Sequence, residues 1–218
     1  MTAVAEGFGE GGASRGRASS VNTLMDRDTE LALLDRLRRG DEAAFDAVYD
    51  AFNQRLFTFL VRLARRRDVA EDLLEETWLR LVKHTHRLNE DTRLGPWLFT
   101  VARNLHVSYV RSRVLELSVT GGLTPLWPSA DRPSPFETTA ARELERRIER
   151  ALASLPAASR EVLLLVGVAG LDHSDAADVC GITPEALRQR LHRARALLTR
   201  ALEADTRAGE SIFGEVTP

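Results

Sequence analysis

Between Pro184 and Arg200 the chain sets Arg188, Arg190, Arg193, Arg195 and Arg200 against one acidic residue, Glu185. Guanidinium groups at this density, with Gln189 and His192 among them, suit phosphate oxygens and base edges in a nucleic-acid groove. Leu187, Leu191, Ala194 and Leu198 recur at helical spacing, so the arginines take the opposite face of one helix. Thr183 stands at its N-cap and Pro184 in its first turn, where no amide hydrogen is needed. Just upstream, Asp172 predicts a second N-cap, with Asp175 three residues on and Ala176 and Val179 as apolar positions. Gly181 ends that helix, since it tolerates positive φ at no steric cost. Two short helices about a Cys180-Gly181-Ile182 turn read as a helix-turn-helix, its second helix suited to a major groove. An ordinary helical hairpin with a solvated basic face is the plainer reading. Against it stand the short turn and the charge sorting, with Asp172, Asp175 and Asp178 on the first helix and arginines on the second.

A framework must position that pair of helices. The 218 residues suggest one or two domains, and 28% charged with 44% hydrophobic residues fits a soluble globular chain. The net charge of −2 conceals the local sorting. No apolar run approaches the ~18 residues of a membrane span, and the N-terminus lacks a signal-type apolar core, so a cytoplasmic location is expected. A single cysteine, Cys180, excludes an internal disulfide, and its place before the turn marks it as a small core residue. His84 and His86 lie two apart, on different sides of a helix, so no metal site is expected, nor any cofactor. The sequence offers no nucleophile–base pair, no paired carboxylates and no phosphate-cradling glycine loop. No catalytic residue is expected, no small-molecule substrate, and no enzyme.

Residues 1–22 are rich in Gly, Ala and Ser and predict a disordered tail. Leu31, Leu34 and Leu37 begin the helical pattern, which breaks at Gly40. After Asp41, a stripe of Phe45, Val48, Tyr49, Phe52, Leu56, Phe59, Leu60 and Leu63 runs to Arg65-Arg66-Arg67. Asp68 with Glu71 predicts a capping-box-like start to a third helix, with Val69, Leu73, Trp78, Leu81 and Val82 inward and Asp72, Glu75, Glu76 and Arg80 outward. Pro96 predicts the start of a fourth helix, whose core face is Trp97, Leu98, Val101 and Leu105 and whose other side carries Arg103, Asn104, His106, Arg111 and Arg113. From Val114 to Ala140, Gly121-Gly122 and prolines 125, 128, 133 and 135 break all periodicity, predicting a linker of roughly 27 residues that spans up to about 90 Å. Trp127 and Phe136 within it hint at docking on a domain. Helical pattern returns with Leu144, Ile148, Leu152 and Leu155, then with the apolar run Val162 to Val166, and the residues after Asp205 lack a pattern. The fold class is all-α, two small helical domains joined by a flexible linker.

A basic helix, an acidic amphipathic helix beside it and a distant helix-turn-helix together resemble the extracytoplasmic-function (ECF, group IV) sigma factors of the bacterial sigma-70 family. EDLLEETWLRL and PWLFTVARNLHVSYVRSR carry the likeness to region 2, and LASLPAASREVLLLVGVAGLDHSDAADVCGITPEALRQRLHRAR carries that to region 4. The resemblance implies region 2 over 23–113, a linker over 114–140, region 4 over 141–204 and a tail over 205–218. It implies binding of core RNA polymerase, with Asp72, Leu73, Glu75, Glu76, Thr77, Leu79 and Arg80 on the β′ coiled coil and the surface about Val162 on the β flap. It implies recognition and melting of the −10 element by Arg93, Arg103, Asn104, His106, Arg111 and Arg113. For the −35 element it implies Thr183, Glu185, Arg188, Gln189, Arg190, His192, Arg193 and Arg195, the first half of that helix suiting base edges and the later arginines phosphates. A linker in the RNA exit channel and a cognate anti-sigma factor belong to the same expectation. Where family members often read Phe-Arg-Thr before the tryptophan, this chain has Leu94-Gly95-Pro96, which alters the loop expected to set −10 preference.

Two other readings remain at this point. A LuxR-like regulator carries a similar C-terminal helix-turn-helix, but would need an upstream receiver or ligand pocket. A sigma-like adaptor would bind polymerase without directing initiation.

Overall fold

The computed structural model describes residues 25–120 and 140–213, and every structural statement below concerns these. Helix α1 (Arg27–Arg38) starts where Asp26 accepts the Thr29 amide at 2.9 Å. Gly40, at φ 77°, reverses the chain into Asp41, whose Oδ1 accepts the amides of Ala43 and Ala44 at 3.0 and 3.3 Å to cap α2 (Glu42–Ala64). Along α2, Val48, Phe52, Leu56, Phe59, Leu60 and Leu63 are buried, as their 3.6-residue spacing demands. Arg65 closes the helix in the left-handed region at φ 57°, the only non-glycine to do so among the described residues.

Helix α3 (Arg67–His84) begins one step earlier than the Asp68–Glu71 pattern predicts. Its N-cap is the extended Arg66, which makes no capping bond with its side chain. Asp68 lies in the first turn instead, where a carboxylate favours the exposed amides, and takes the Arg66 Nε at 3.0 Å. Leu73, Thr77, Trp78 and Leu81 point inward, whereas Val82, expected in the core, is 56% exposed. One residue adds 100° of rotation, which carries Val82 from the side of Leu81 out toward that of Leu79. A 3₁₀ turn, Thr85–Arg87, leads to the next helix.

Helix α4 (Leu94–Thr120) is longer than the sequence pattern suggests at both ends. It starts ahead of Pro96 because Glu30 of α1 reaches across and accepts the Leu94 amide at 2.5 Å, an N-terminal cap from outside the loop. It continues through residues 114–120, assigned above to the linker, because no helix breaker occurs before Gly121. The remaining linker, the N-terminal tail, Trp127 and Phe136 lie outside the described residues.

The second half comprises α5 (Ala140–Ser154), α6 (Ala157–Gly167), α7 (His173–Cys180) and α8 (Pro184–Phe213). Arg160 is buried and ties α5 to α6: its Nε donates to the Leu152 carbonyl at 2.8 Å and its Nη2 to those of Ala153 and Leu155 at 3.1 and 2.9 Å. These are carbonyls that the end of α5 leaves without helical partners. Helix α8 runs well past Asp205, where the sequence shows no pattern. Arg147 and Arg150 of α5 hold the Asp205 carboxylate at 3.3 and 3.1 Å, and this charge pairing, rather than apolar periodicity, continues the helix.

Helices α1 to α4 form one bundle, in which Phe59 and Phe99 meet edge to face at 5.4 Å. Helices α5 to α8 form the other, and the two are in contact: α2 touches α5 and α6, and α4 touches α7.

Candidate nucleic-acid interface

Asp172 fixes the start of the helix-turn-helix by accepting the Asp175 amide at 2.8 Å, and Gly181, at φ 66°, turns the chain into α8. Leu187, Leu191 and Ala194 are buried beneath α8. Their burial forces the other face outward, so Thr183, Glu185, Arg188, Gln189, His192, Arg193 and Arg195 are exposed and Arg190 is half-buried. Arg188 pairs with Glu185 one turn earlier, leaving Arg193 and Arg195 without a carboxylate of their own helix turn. All eight residues named for the −35 element thus share one helix or its cap.

The residues named on and before α4 divide. Asn104 and Arg111 are exposed, and Arg113 donates to Glu116 at 2.8 Å. Arg93 and Arg103 point at the other half of the molecule. Arg93 pairs with Asp175 and lies 3.9 Å from Asp172, and Arg103 Nε donates to Glu161 Oε1 at 2.9 Å. His106 is buried in this arrangement, its Nε2 without a partner, so it is not presented to DNA here. The amphipathic spacing on α4 puts His106 on the outer side of its own bundle, near Arg160 of the other one. Burial and the nearby Arg160 and Arg103 pull its pKa down to about 4, so the imidazole is neutral.

Burial also dominates at Asp175, whose pKa is pushed up to about 6 despite the opposing pull of Arg93. Cys180 is buried beside Glu161, its Sγ 3.9 Å from Oε2, and desolvation pushes the thiol up to about 12. It is an inert core thiol at neutral pH.

On α3, Asp72 and Glu75 are exposed, and Glu76 takes the Arg80 Nε at 3.0 Å. Leu79 stands 44% exposed between them, and Val82 extends its apolar surface. Leu73 and Thr77, named for polymerase contact, are instead buried in the bundle, where the Thr77 hydroxyl donates to the Leu73 carbonyl at 2.7 Å. They are the inward side of the same helix. Val82 is an exposed apolar residue that the sequence reading placed in the core; only its one-residue offset from Leu81 could have indicated its exposure. No sequence signal pairs the acids Glu161 and Asp175 with arginines of the other bundle.

Residues 48–115 match the sigma-70 region 2 model, and residues 145–198 match that of sigma-70 region 4. The chain is 35% identical over 159 residues to the ECF RNA polymerase sigma factor EcfG of Rhodopseudomonas palustris, covering 73% of this chain and 83% of the relative. It is 30% identical over 151 residues to SigM, an ECF sigma factor of Bacillus subtilis, covering 69% and 90%. Among solved structures, the sigma factor RpoE of Bartonella quintana, in complex with the anti-sigma factor NepR, superposes with a TM-score of 0.59 at 26% identity, covering 82% of this chain and 97% of that one.

The chain therefore belongs to the ECF sigma factors of the sigma-70 family. It is a sigma factor, a regulatory DNA-binding subunit that binds core RNA polymerase and directs promoter-specific transcription initiation. Among the described residues no helix is long and apolar enough to cross a membrane.

Proposed function

We propose that four faces divide the work of this sigma factor. The α3 face of Asp72, Glu75, Glu76, Leu79, Arg80 and Val82 clamps a basic coiled coil of the polymerase, carboxylates around an apolar seam. The exposed surface around α6 meets the β flap. Arg93, Arg103, Asn104, Arg111 and Arg113 hold the backbone and an unstacked base of the −10 element. The α8 face reads the −35 element, Glu185, Arg188, Gln189 and His192 toward base edges and Arg190, Arg193 and Arg195 toward phosphates. A cognate anti-sigma factor is the expected inhibitor, in line with the partner of the Bartonella relative.

The observation that carries this reading is the exposed, arginine-rich α8 on the same chain as the acidic, apolar-centred α3 face. Transcription by core polymerase with and without the protein, on a promoter library, tests it. Start-site-specific RNA dependent on the protein is expected. Intact core binding with no specific start would replace it with the adaptor reading.

A further inference from the structure

In the basic run Arg65-Arg66-Arg67, the fold supplies a carboxylate to the second and third arginines and none to the first. Arg66 Nε donates to Asp68 at 3.0 Å, and Arg67 Nε donates to Glu71 at 2.8 Å. Among the described residues no hydrogen bond or ion pair holds the Arg65 side chain, although Arg65 is half-buried. Its backbone is strained as well. At φ 57° and ψ 22° it closes α2 in the left-handed region, where glycine or asparagine sits at lower cost. A cation kept at a strained position without a counter-charge points to something that it binds.

Arg65 lines an open cleft of about 1180 Å³ between the α2–α3 corner and the end of α5, where Phe57, Val61 and Leu152 supply an apolar stretch of wall. Arg62 and Arg150 also stand at the cleft, each with acids of its own. Arg62 Nε takes Glu149 at 2.7 Å, and Arg150 Nη2 takes Asp205 and Glu143 at 3.1 and 3.3 Å. Leu152 and Ala153 of the wall give their carbonyls to a second uncompensated cation, the buried Arg160, whose Nη1 has no partner. Burial first, and then the charge of Arg65, draws the pKa of Arg160 down. Two neighbouring guanidinium groups with no carboxylate between them leave a positive potential that an anion in the cleft relieves.

We propose that this cleft binds a small phosphorylated ligand of the nucleotide class, its phosphates on Arg65 and its base on the wall of Phe57, Val61 and Leu152. A planar guanidinium takes phosphate oxygens in pairs, which suits an arginine to this position better than a lysine. The three carboxylates at the cleft, Asp68, Glu71 and Glu149, are each bound to an arginine, so none is left free to repel a phosphate. An apolar wall with a few placed polar groups is the usual make-up of a small-molecule site, and the volume lies just above the roughly 300–1,000 Å³ common for one. A bare phosphate would leave the apolar wall in water. The lining residues are separate from those proposed above for polymerase and promoter, so the site stands independently of that reading.

The test titrates the full chain with ATP by calorimetry, on an Arg188→Ala, Arg193→Ala background that keeps the α8 arginines from taking the phosphates. One saturable site per chain is expected. Arg65→Gly and Arg65→Asn each remove the guanidinium and suit the left-handed backbone, so the melting temperature holds. ATP affinity in both should fall about tenfold or more, the loss of a charge-assisted hydrogen bond. Arg65→Lys keeps the charge without the fork and should fall between them and the parent. Arg39→Ala, at an exposed arginine of α1, should leave the affinity unchanged. Tripolyphosphate should bind the parent more weakly than ATP, and Phe57→Ala should weaken ATP alone. Absence of saturable binding overturns the proposal, as does an ATP affinity untouched by both Arg65→Gly and Arg65→Asn. Tripolyphosphate binding as tightly as ATP overturns the nucleotide assignment in favour of a bare polyphosphate.

Discussion

The Glu30 carboxylate accepts the backbone amide of Leu94, 64 residues later in the chain, at 2.5 Å. Its other oxygen takes the Arg27 guanidinium at 2.6 Å, and Arg27 in turn donates to the carbonyls of Thr92, at 2.9 Å, and Glu90. Helix α1 thus clamps the loop that delivers Arg93 and the start of α4. Glu30 is buried, so its removal leaves an uncapped helix terminus and a cation without its partner. Glu30→Ala should destabilise the protein by about 2–3 kcal/mol, the range for a buried charge-assisted hydrogen bond, with Glu30→Gln retaining part of it. Urea unfolding of the two variants, compared at equal m-value, measures the loss. A midpoint unchanged by Glu30→Ala would show that the clamp contributes nothing.

His106 sets a pH dependence whose sign is fixed by the direction of its shift. Its folded pKa, about 4, lies below the ordinary value of 6.5. Between those values the unfolded chain takes up a proton that the folded chain refuses, so stability is full above pH 6.5 and falls as the pH is lowered toward 4. The whole loss amounts to about 3 kcal/mol. Asp175 acts in the opposite sense, because its pKa is raised and the folded state gains protons on acidification below pH 6. The difference between wild type and His106→Leu isolates the histidine. Unfolding free energies at pH 7 and 4.5 should diverge by about 2 kcal/mol more in wild type than in the variant. Parallel losses in both would place the acid sensitivity elsewhere.

Helices, caps and core were legible in the sequence wherever one bundle's apolar stripe decided the matter. Of the α2 stripe, Val48, Phe52, Leu56, Phe59, Leu60 and Leu63 are buried as their spacing requires while Tyr49 is left exposed, and Asp41 and Asp172 accept the capping amides that their type favours. Periodicity failed where a partner from far along the chain intervened. Glu30 moves the start of α4, Asp205 prolongs α8 through α5 arginines, and His106 is buried near Arg160 of the other bundle. The same limit holds at the site. The exposed α8 face follows from its own helix, while the pairing of Arg93 and Arg103 with acids 82 and 58 residues away depends on how two bundles meet. Hydrophobic period carries no information about that.

Leu79 and Val82 are exposed apolar residues on α3 flanked by carboxylates, and under the proposed clamp their expected contribution is to binding rather than folding. Leu79→Asp and Val82→Asp should each leave the melting temperature within a degree or two, since neither side chain is packed in the bundle. Each should weaken association with core polymerase about tenfold or more, because a charge replaces apolar surface at the centre of a clamp. Leu73→Ala is the contrast: its side chain is buried, and the loss should appear as about 2–4 kcal/mol of stability. Competition for core polymerase against a labelled wild-type chain reads the first effect, thermal unfolding the second. Unchanged core affinity in both Asp variants would remove the α3 face from the polymerase interface.

The arginines of α8 divide by position along the helix, and salt dependence separates them. Arg193 lies in the second half of the exposed face, the part proposed above for phosphates, and Arg188 lies one turn from the cap, in the part proposed for base edges. A phosphate contact releases counterions and carries no sequence information. Arg193→Ala should therefore lower affinity equally for specific and mixed-sequence duplex, and reduce the slope of log K against log salt by about 1. Arg188 is bound to Glu185 in the free chain and must leave it to reach a base. Arg188→Ala should cost about 1–3 kcal/mol on the preferred −35 sequence and much less on mixed sequence. Holoenzyme binding across a salt series, on both duplexes, measures the two slopes together. If Arg193→Ala instead abolished sequence preference and Arg188→Ala left it intact, base reading would belong to the far half of α8, and the first-turn residues Thr183 and Glu185 would lose their assigned role with it.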